Sequence, residues 1–369
     1  MEYLYEKLKP LEPEARPLSP RQRLKAVNGP LLSWYESHAR VLPWREDPQP
    51  YKVWISEIML QQTRVEAVKP YFNRFMEEFP DVRSLARADD DRLLKAWEGL
   101  GYYNRARNLK KAACLVTRCY GGRLPDSYEE LLKLPGVGTY TAGAIASIAY
   151  GLPVPAVDGN VLRVLSRVLA SREDILKQSV KRQMETLLRE TMPKENVSAY
   201  NQGLIEVGAV VCVPGGPPKC QECPMYSLCL ARRQGLLDSI PYKSPRKPRR
   251  VEKRTILLLE SGTKIALEKR PDTGLLASLY QFPNLEGRLS EGEVRAFLEE
   301  GGACPTEIGS AGEAKHIFSH VEWRMTGYRV RLAGDIPDAY LAVEKEDVRK
   351  KYPIPNAFLV YTKQINGES

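Results

Sequence analysis

The sequence predicts a multidomain protein, mostly α-helical in its first part and α+β in its second. Three observations predict this. Between residues 26 and 232, apolar side chains recur at spacings of three and four, as in VWISEIMLQQTRVEAVKPYF and DRLLKAWEGL. That is the period of helices with one buried face. Beyond Thr255 come short apolar runs, TILLLE, TKIALEK and YRVRLAG, with a Ser-Gly turn between the first two. These read as strands. Between the two regions the composition shifts: seven of the twelve residues from Lys243 to Arg254 are basic and two are proline. Such a stretch suits an exposed connector, either solvated or laid along phosphates.

Taken in order, residues 1–25 are rich in proline and charge and are expected to form a loose tail. The helical domain is expected over 26–232, the basic linker over 233–254 and the α+β domain over 255–369. Inside the helical domain, Ser127 and Glu130 make a capping-box start for a short helix, Tyr128 to Lys133. Pro135, Gly136 and Gly138 end it, and Thr139 opens another. In the second domain EGEVRAFLEEGG reads as one helix among the strands.

Composition narrows the function. The 369 residues exceed one typical domain. With 55 Lys and Arg against 46 Asp and Glu, the formal charge is +9, which favours a polyanionic partner. No apolar run reaches membrane-spanning length without proline, glycine or a charge. The stretch from Thr139 to Val157 comes nearest, and its small residues and two prolines suit a packed helix and turn. The start, MEYLYEKLKPLEPEARP, has early acids and no apolar core, unlike a signal peptide. A cytoplasmic location is expected. Seven cysteines are present: Cys212, Cys220, Cys223 and Cys229 cluster as C-x7-C-x2-C-x5-C, while Cys114, Cys119 and Cys304 stand apart. Clustered cysteines in a non-secreted chain read as metal ligands rather than disulfides.

Two further features carry chemistry. In LPGVG, Gly136 and Gly138 permit a turn that residues with a Cβ resist. The helix opening at Thr139 offers free N–H groups to a phosphate, although a lone GxG would be an ordinary turn between helices. Asp158, in VDGN, is well placed as a helix N-cap and equally as a carboxylate that stabilises a developing positive charge. Glu57, in WISEIMLQQT, is either a helix-surface acid or, among Trp54, Ile55, Ile58, Met59 and Leu60, an acid in a partly dry pocket with a raised pKa. One acid and one carboxylate around a glycosidic bond is the logic of glycoside hydrolysis.

Longer strings resemble one family. They are LPWR at 42–45, YKVWISEIMLQQTRVEAVKPYF at 51–72, WEGLGYYNRARNL at 97–109, LPGVGTYTAGAIASIAYG at 134–151, VPAVDGNVLRVLSR at 154–167, NQGLIEVGAVVC at 201–212, LLASLYQFPNLEG at 275–287 and KHIFSHVEW at 315–323. They are similar to the adenine DNA glycosylases of the MutY type, within the endonuclease III superfamily of helix-hairpin-helix enzymes. The resemblance implies a helix-hairpin-helix glycosylase core, with a six-helix barrel and an iron–sulfur cluster subdomain, followed by an α+β Nudix-like domain. It implies removal of adenine mispaired with 8-oxoguanine or guanine in duplex DNA, the adenine being flipped out of the stack first.

By the family pattern, Glu57 protonates the adenine and Asp158 stabilises or traps the oxocarbenium ion. Tyr140 and Asn160 support Asp158. Arg45 shapes the adenine pocket, and Gln62 and Tyr102 enter the duplex near the lesion. The cysteines Cys212, Cys220, Cys223 and Cys229 hold one [4Fe–4S] cluster, with a tetrahedral zinc site as the other reading. The usual first spacing of six is seven here, VPGGPPK, which Gly215 and Gly216 can absorb. Tyr140 stands where bifunctional relatives carry a Schiff-base lysine, which implies a monofunctional enzyme. Residues 287–302 lack the REUxEE core of a working Nudix hydrolase, so the second domain is expected to bind rather than hydrolyse. Phe318, Ser319 and His320 are the implied readers of 8-oxoguanine. A monomer is expected, working on the bacterial nucleoid, with the basic linker as a docking strip for other repair proteins. The alternatives are an endonuclease III-like pyrimidine glycosylase and a catalytically silent lesion-binding protein.

Overall fold

The computed structural model describes residues 18–245 and 248–365. Most of the expected tail, and Arg246 and Lys247 of the expected linker, lie outside the described residues. The chain forms two compact units, each of which draws on two stretches of sequence. One joins Met1–Glu57 to Leu124–Ser244, and the other joins Ile58–Arg123 to Pro245–Ser369.

The first unit is helical. Its opening helix, Pro20–His38, starts within the expected tail because Ser19 caps it. Ser19 and Gln22 exchange the two bonds of a capping box, with Pro20 at the first helical position. Helices Gly159–Leu169, Gln178–Thr191 and Val197–Val210 pack with it around Leu31, Val161, Leu165, Tyr200, Leu204 and Val207. The Thr139–Ile148 helix is almost wholly buried from Thr141 to Ser147. Gly143 lies inside it where an added Cβ would come within 2.3 Å of the Pro155 carbonyl oxygen. The small residues noted between Thr139 and Val157 thus bring the VPAVD segment close to this helix.

The expected linker is shorter than its composition implies. Ile240 is buried against Cys229 and Ala231, Arg167 donates to the Leu237 and Ile240 carbonyls, and the Ile175 N–H bonds the Tyr242 carbonyl at 3.2 Å. At its far end, Arg250–Arg254 already belongs to strand β1 (Arg250–Ser261).

The second unit contains a seven-stranded mixed sheet. After β1 come β2 (Lys264–Lys269), β3 (Tyr280–Gln281), β4 (Asn284–Glu286), β5 (Pro305–Ile317), β6 (Val321–Leu332) and β7 (Leu341–Glu344). The main path runs β3-β2-β1-β6-β5, with β4 on β1 and β7 on β2. β1 and β6 pair in parallel, from Arg250 opposite Val321 to Glu260 opposite Arg331. Alternate β1 residues face opposite sides, as strand geometry requires. Ile256 and Leu258 meet Trp323, Phe358 and Tyr361 on one side. Leu257 and Leu259 meet Val294 and Leu298 of the Glu291–Glu300 helix on the other.

This unit also holds the helices from Val65 to Cys119. Polar bonds tie them to the sheet domain. Asp91 accepts from Lys269 Nζ at 2.8 Å and from the Tyr280 hydroxyl at 2.9 Å, and Glu98 accepts the Ile354 N–H at 2.9 Å. No helix is long and apolar enough to cross a membrane among the described residues.

The contact at Gly143 yields a direct test. Gly143→Ala should destabilise the protein by about 1–3 kcal/mol, the usual cost of overpacking. Gly138→Ala adds a carbon that meets nothing within 4 Å, and should stay within about 0.5 kcal/mol of the parent. Urea unfolding midpoints compare the two, and equal effects would refute the packing argument.

Candidate active site

Helices Tyr128–Leu131 and Thr139–Ile148 flank the LPGVG turn, so the predicted helix–hairpin–helix is present. The first helix ends two residues before the expected Lys133, and Ser127 caps it by accepting the Glu130 N–H at 3.4 Å. Gly136 has a left-handed φ of +78°, where side chains with a Cβ are strained. Gly138 departs from the expectation. Its φ of −96° and ψ of −177° are extended, and its surroundings are open. The turn therefore needs glycine at 136 only. At 138 the missing side chain leaves room for an outside group beside a helix start, where N–H groups favour anions.

Glu57 comes from the Pro50–Leu60 helix and is buried. Its carboxyl Oε2 accepts the Tyr140 hydroxyl at 2.6 Å. Burial pushes its pKa up to about 7, and the nearby Asp158 charge adds to the rise, while Tyr140 and Arg45 oppose it. Tyr140, one residue into the hairpin's second helix, therefore meets Glu57 directly, whereas the family pattern paired it with Asp158. Burial and the two carboxyls raise its own pKa well above 10, so it donates.

Asp158 combines both of its sequence readings in one place. It is the N-cap of the Gly159–Leu169 helix, Oδ1 accepting the Val161 N–H at 2.8 Å. Its other oxygen, Oδ2, accepts the Asn160 side-chain amide at 2.8 Å. Burial raises its pKa, against the pull of these donors and of Arg163. Both oxygens thus have fixed donors suited to an ionised carboxylate.

One helix, Val197–Val210, supplies much of the back wall, and sequence reasoning had assigned its polar residues no role. The fully buried Asn201 holds the VPAVD segment, accepting the Ala156 N–H at 3.0 Å and donating to the Val154 carbonyl at 2.9 Å. Glu206, also fully buried, accepts Arg45 Nη2 at 2.8 Å and Arg40 Nε at 2.5 Å. These arginines hold its pKa low against the effect of burial. Gly208 lies so close to Asn160 that an added Cβ would come within 2.6 Å of the Asn160 Cβ. Arg163 then locks the corner. It donates to the Asn160 Oδ1 at 2.8 Å, the Gly208 carbonyl at 2.6 Å and the Cys212 carbonyl at 2.7 Å. With Oδ1 so occupied, the Asn160 NH2 must face Asp158. The only sequence signal for this set was its place within NQGLIEVGAVVC and VDGNVLR.

Cys212, Cys220, Cys223 and Cys229 line one cavity, with apolar residues and Arg167 and Arg232. Arg167 donates to the Cys212 sulfur at 3.2 Å. The long first spacing is closed by a bond from the Lys219 N–H to the Val211 carbonyl at 3.0 Å, and Gly216 takes a left-handed φ of +73°. Burial pushes the Cys223 thiol up to about 12 and raises Cys220 and Cys229 too. Ionising these thiols therefore requires a metal's positive charge. Among the described residues, no three His, Cys, Asp or Glu side chains are grouped closely enough to hold a metal ion. The donor set, four thiols around one cavity with an arginine against a sulfur, suits a polynuclear iron–sulfur group.

The remaining predicted contacts belong to the other unit. Gln62 and Tyr102 are exposed, and both take left-handed backbone, at φ 61° and 49°. Phe318, Ser319 and His320 form the turn between β5 and β6. Ser319 and His320 are exposed, whereas Phe318 is half-buried, edge-on to Trp323 with centroids 4.9 Å apart.

Comparison with known proteins gives this arrangement its context. Residues 55–190 match the HhH-GPD superfamily of base excision DNA repair proteins, and residues 254–364 match the NUDIX domain. The adenine DNA glycosylase of Homo sapiens is 37% identical, over 85% of this chain and 68% of its own. That of Buchnera aphidicola (subspecies Baizongia pistaciae) is 36% identical, over 79% of this chain and 82% of its own. Among solved structures, a thermostable thymine-DNA glycosylase aligns with a TM-score of 0.52 at 30% identity, over 57% of this chain and 97% of that one. A trapped endonuclease III–DNA covalent intermediate aligns with a TM-score of 0.51 at 27% identity, over 60% of this chain and all of that one. With its hairpin, its buried Glu57 near the half-buried Asp158 and its Nudix-like sheet domain, the chain belongs to the adenine DNA glycosylases, base excision repair hydrolases that act on N-glycosyl bonds.

Proposed function

We propose that this enzyme excises adenine mispaired with 8-oxoguanine or guanine in duplex DNA, as a monofunctional glycosylase. The observation that carries the mechanism is the contrast between its two carboxyls. Glu57 has a pKa of about 7 and, among the described residues, a single donor, the Tyr140 hydroxyl. Asp158 has a donor fixed on each oxygen. Environments that differ in this way assign acid and base.

Glu57, protonated, gives its proton to a ring nitrogen of the flipped adenine. The bond from the sugar C1′ to the adenine nitrogen then breaks, and its electron pair leaves with the base. Asp158 stabilises the positive charge left on the sugar. Water adds at C1′, its released proton restores Glu57, and adenine and an abasic site remain. Tyr140 has no amine with which to form a Schiff base, so strand cleavage is not part of this cycle.

The other residues prepare the substrate. The backbone at Gly136 and Gly138 takes a phosphate, and Arg45, gripped by Glu206, shapes the adenine pocket. Gln62 and Tyr102 fill the stack when adenine leaves it. The exposed turn at Phe318, Ser319 and His320 reads 8-oxoguanine. Cys212, Cys220, Cys223 and Cys229 hold one [4Fe–4S] cluster, which keeps a DNA-binding loop folded.

Three tests follow. Single-turnover cleavage of duplexes with adenine opposite 8-oxoguanine, guanine, cytosine or thymine should give alkali-dependent cuts, fastest opposite 8-oxoguanine and absent opposite thymine. Asp158→Asn should lower the rate about 1,000-fold or more while the melting temperature holds, because asparagine still caps a helix. Substantial remaining activity would remove Asp158 from its role.

The second test concerns pH. The folded-state pKa of Glu57, about 7, lies above its ordinary 4.5. The stability gained from the neutral carboxyl is fully present below pH 4.5 and is lost as pH rises through 7. At about pH 8 the loss approaches 3 kcal/mol. Glu57→Gln cannot ionise, so its stability relative to the parent should climb between about pH 5 and 8. Excision by the parent enzyme should fall above about pH 7, as the general acid loses its proton. A stability difference that does not change with pH would contradict the buried-acid assignment.

In the third test, purified protein should be brown, absorb near ~400 nm and hold about four irons per chain. Colourless protein holding one zinc would replace the cluster with the zinc reading.

A further inference from the structure

We propose that Arg105 is a positioning residue that holds Gln62 and Tyr102 together, as a preformed pair of wedges, before DNA arrives. The inference rests on the reading of those two side chains as the ones that fill the duplex stack. Gln62 and Tyr102 both have positive φ, 61° and 49°, a conformation that bulky L-residues rarely adopt without support. They are 40 positions apart in sequence, so a common support has to bridge two loops.

Arg105 is that bridge. It opens the Asn104–Cys119 helix and is 8% exposed. Its Nη1 donates to the carbonyls of Ile58 and Met59 at 2.8 Å each and of Gln61 at 2.6 Å. Its Nη2 donates to the carbonyls of Leu100 and Gly101 at 3.0 Å each and reaches Thr63 Oγ1 at 3.4 Å. One nitrogen thus closes on the residues before Gln62, and the other on those before Tyr102. The guanidinium carbon also lies 5.5 Å from the Tyr102 ring centroid and 5.3 Å from that of the buried Trp97. Trp97 Nε1 adds a bond to the Gly101 carbonyl at 3.1 Å.

The acceptors suggest why an arginine sits here. Among the described residues they are five carbonyls and one hydroxyl, with no carboxylate. The partial negative end of the Pro50–Leu60 helix supplies part of the counter-charge. Burial lowers the Arg105 pKa to about 10, so it remains charged at neutral pH. A buried cation without an anion is a poor choice for packing alone, since an apolar side chain fills the same space at less desolvation cost. What arginine adds is a rigid planar fork that grips two loops in one geometry. Lysine is a single point donor and cannot do this.

The test uses the full chain and a duplex carrying 2-aminopurine at the target position opposite 8-oxoguanine. The probe brightens when it leaves the stack. Arg105→Lys keeps the charge without the fork, and Arg105→Met fills the space without the charge, so a folding failure in one leaves the other to decide. In whichever variant folds with a near-parental melting temperature, the fluorescence rise at saturating protein should drop at least two-fold. Adenine excision should drop at least ten-fold in the same variant. A parental fluorescence rise, whether excision falls or not, overturns the proposal. Gln62→Ala and Tyr102→Ala on the same duplex separate the two levels. If neither alters the rise, the wedge reading itself fails. If they lower it while the folded Arg105 variants do not, only the positioning role fails.

Discussion

The constraint on which the candidate active site depends is that two carboxyls, Glu57 buried and Asp158 half-buried, lie close enough in a helical core to feel each other's charge. Taking charge out of water is costly enough that two neighbouring acids cannot both ionise without donors. The fold resolves this unequally. Asp158 stands at the start of a helix, where a backbone N–H and the Asn160 amide satisfy it. Glu57 stands within a helix, where the backbone N–H groups are already spent on the helix itself, and among the described residues its carboxyl accepts only the Tyr140 hydroxyl. Placement at a helix start or inside one therefore gives the two carboxyls different sets of donors.

Holding this pair needs polar groups in a core helix, which is expensive unless every one is partnered. The Val197–Val210 helix partners its buried Asn201 and Glu206, while its buried Tyr200 hydroxyl has no hydrogen-bond partner among the described residues. Asn201 takes the approach to Asp158, Glu206 takes two arginines from the LPWR region, and the bare Gly208 seats Asn160. Arg163 connects the same corner to the carbonyl of Cys212. The first cysteine of the four-cysteine loop is thus two hydrogen-bonded side chains away from Asp158. A disturbance of that loop has a short covalent and hydrogen-bonded route to the carboxylate, with no need for a large movement.

Features encoded within a few adjacent residues were legible in the sequence. The hairpin was, because glycine spacing and helix periodicity are local. So was the strand character of TILLLE, because β1 is buried on both faces and reads as a continuous apolar run. The expectation failed where tertiary contacts decide. β5, PTEIGSAGEAKHI, is largely exposed and polar, and owes its extended form to its long ladder with β6. The basic linker was read from charge, yet its ends are claimed by Arg167 on one side and by the β1 ladder on the other. The family pattern placed Tyr140 beside Asp158, and the hydrogen bond it makes is to Glu57, 83 positions away, a contact that distance along the chain does not reveal. The contributions of Asn201, Glu206 and Gly208 had no local signature at all.

Asp158 shows why weighing a structural role against a catalytic one can be a false choice. A capping carboxylate needs one oxygen for the backbone N–H of the residue three positions on. The second oxygen is held by the Asn160 amide, and the charge remains available. Capping also fixes the carboxylate's orientation and opposes its protonation, the two properties an electrostatic stabiliser requires. A residue that must be ionised inside a dry pocket is therefore best placed at a helix N-terminus, and the cap supports the function instead of competing with it. The same reasoning extends to Gly138, where a feature first credited to the turn is left free by the turn. In both cases the side chain, or its absence, is only partly used by the fold, and the rest is available to an outside group.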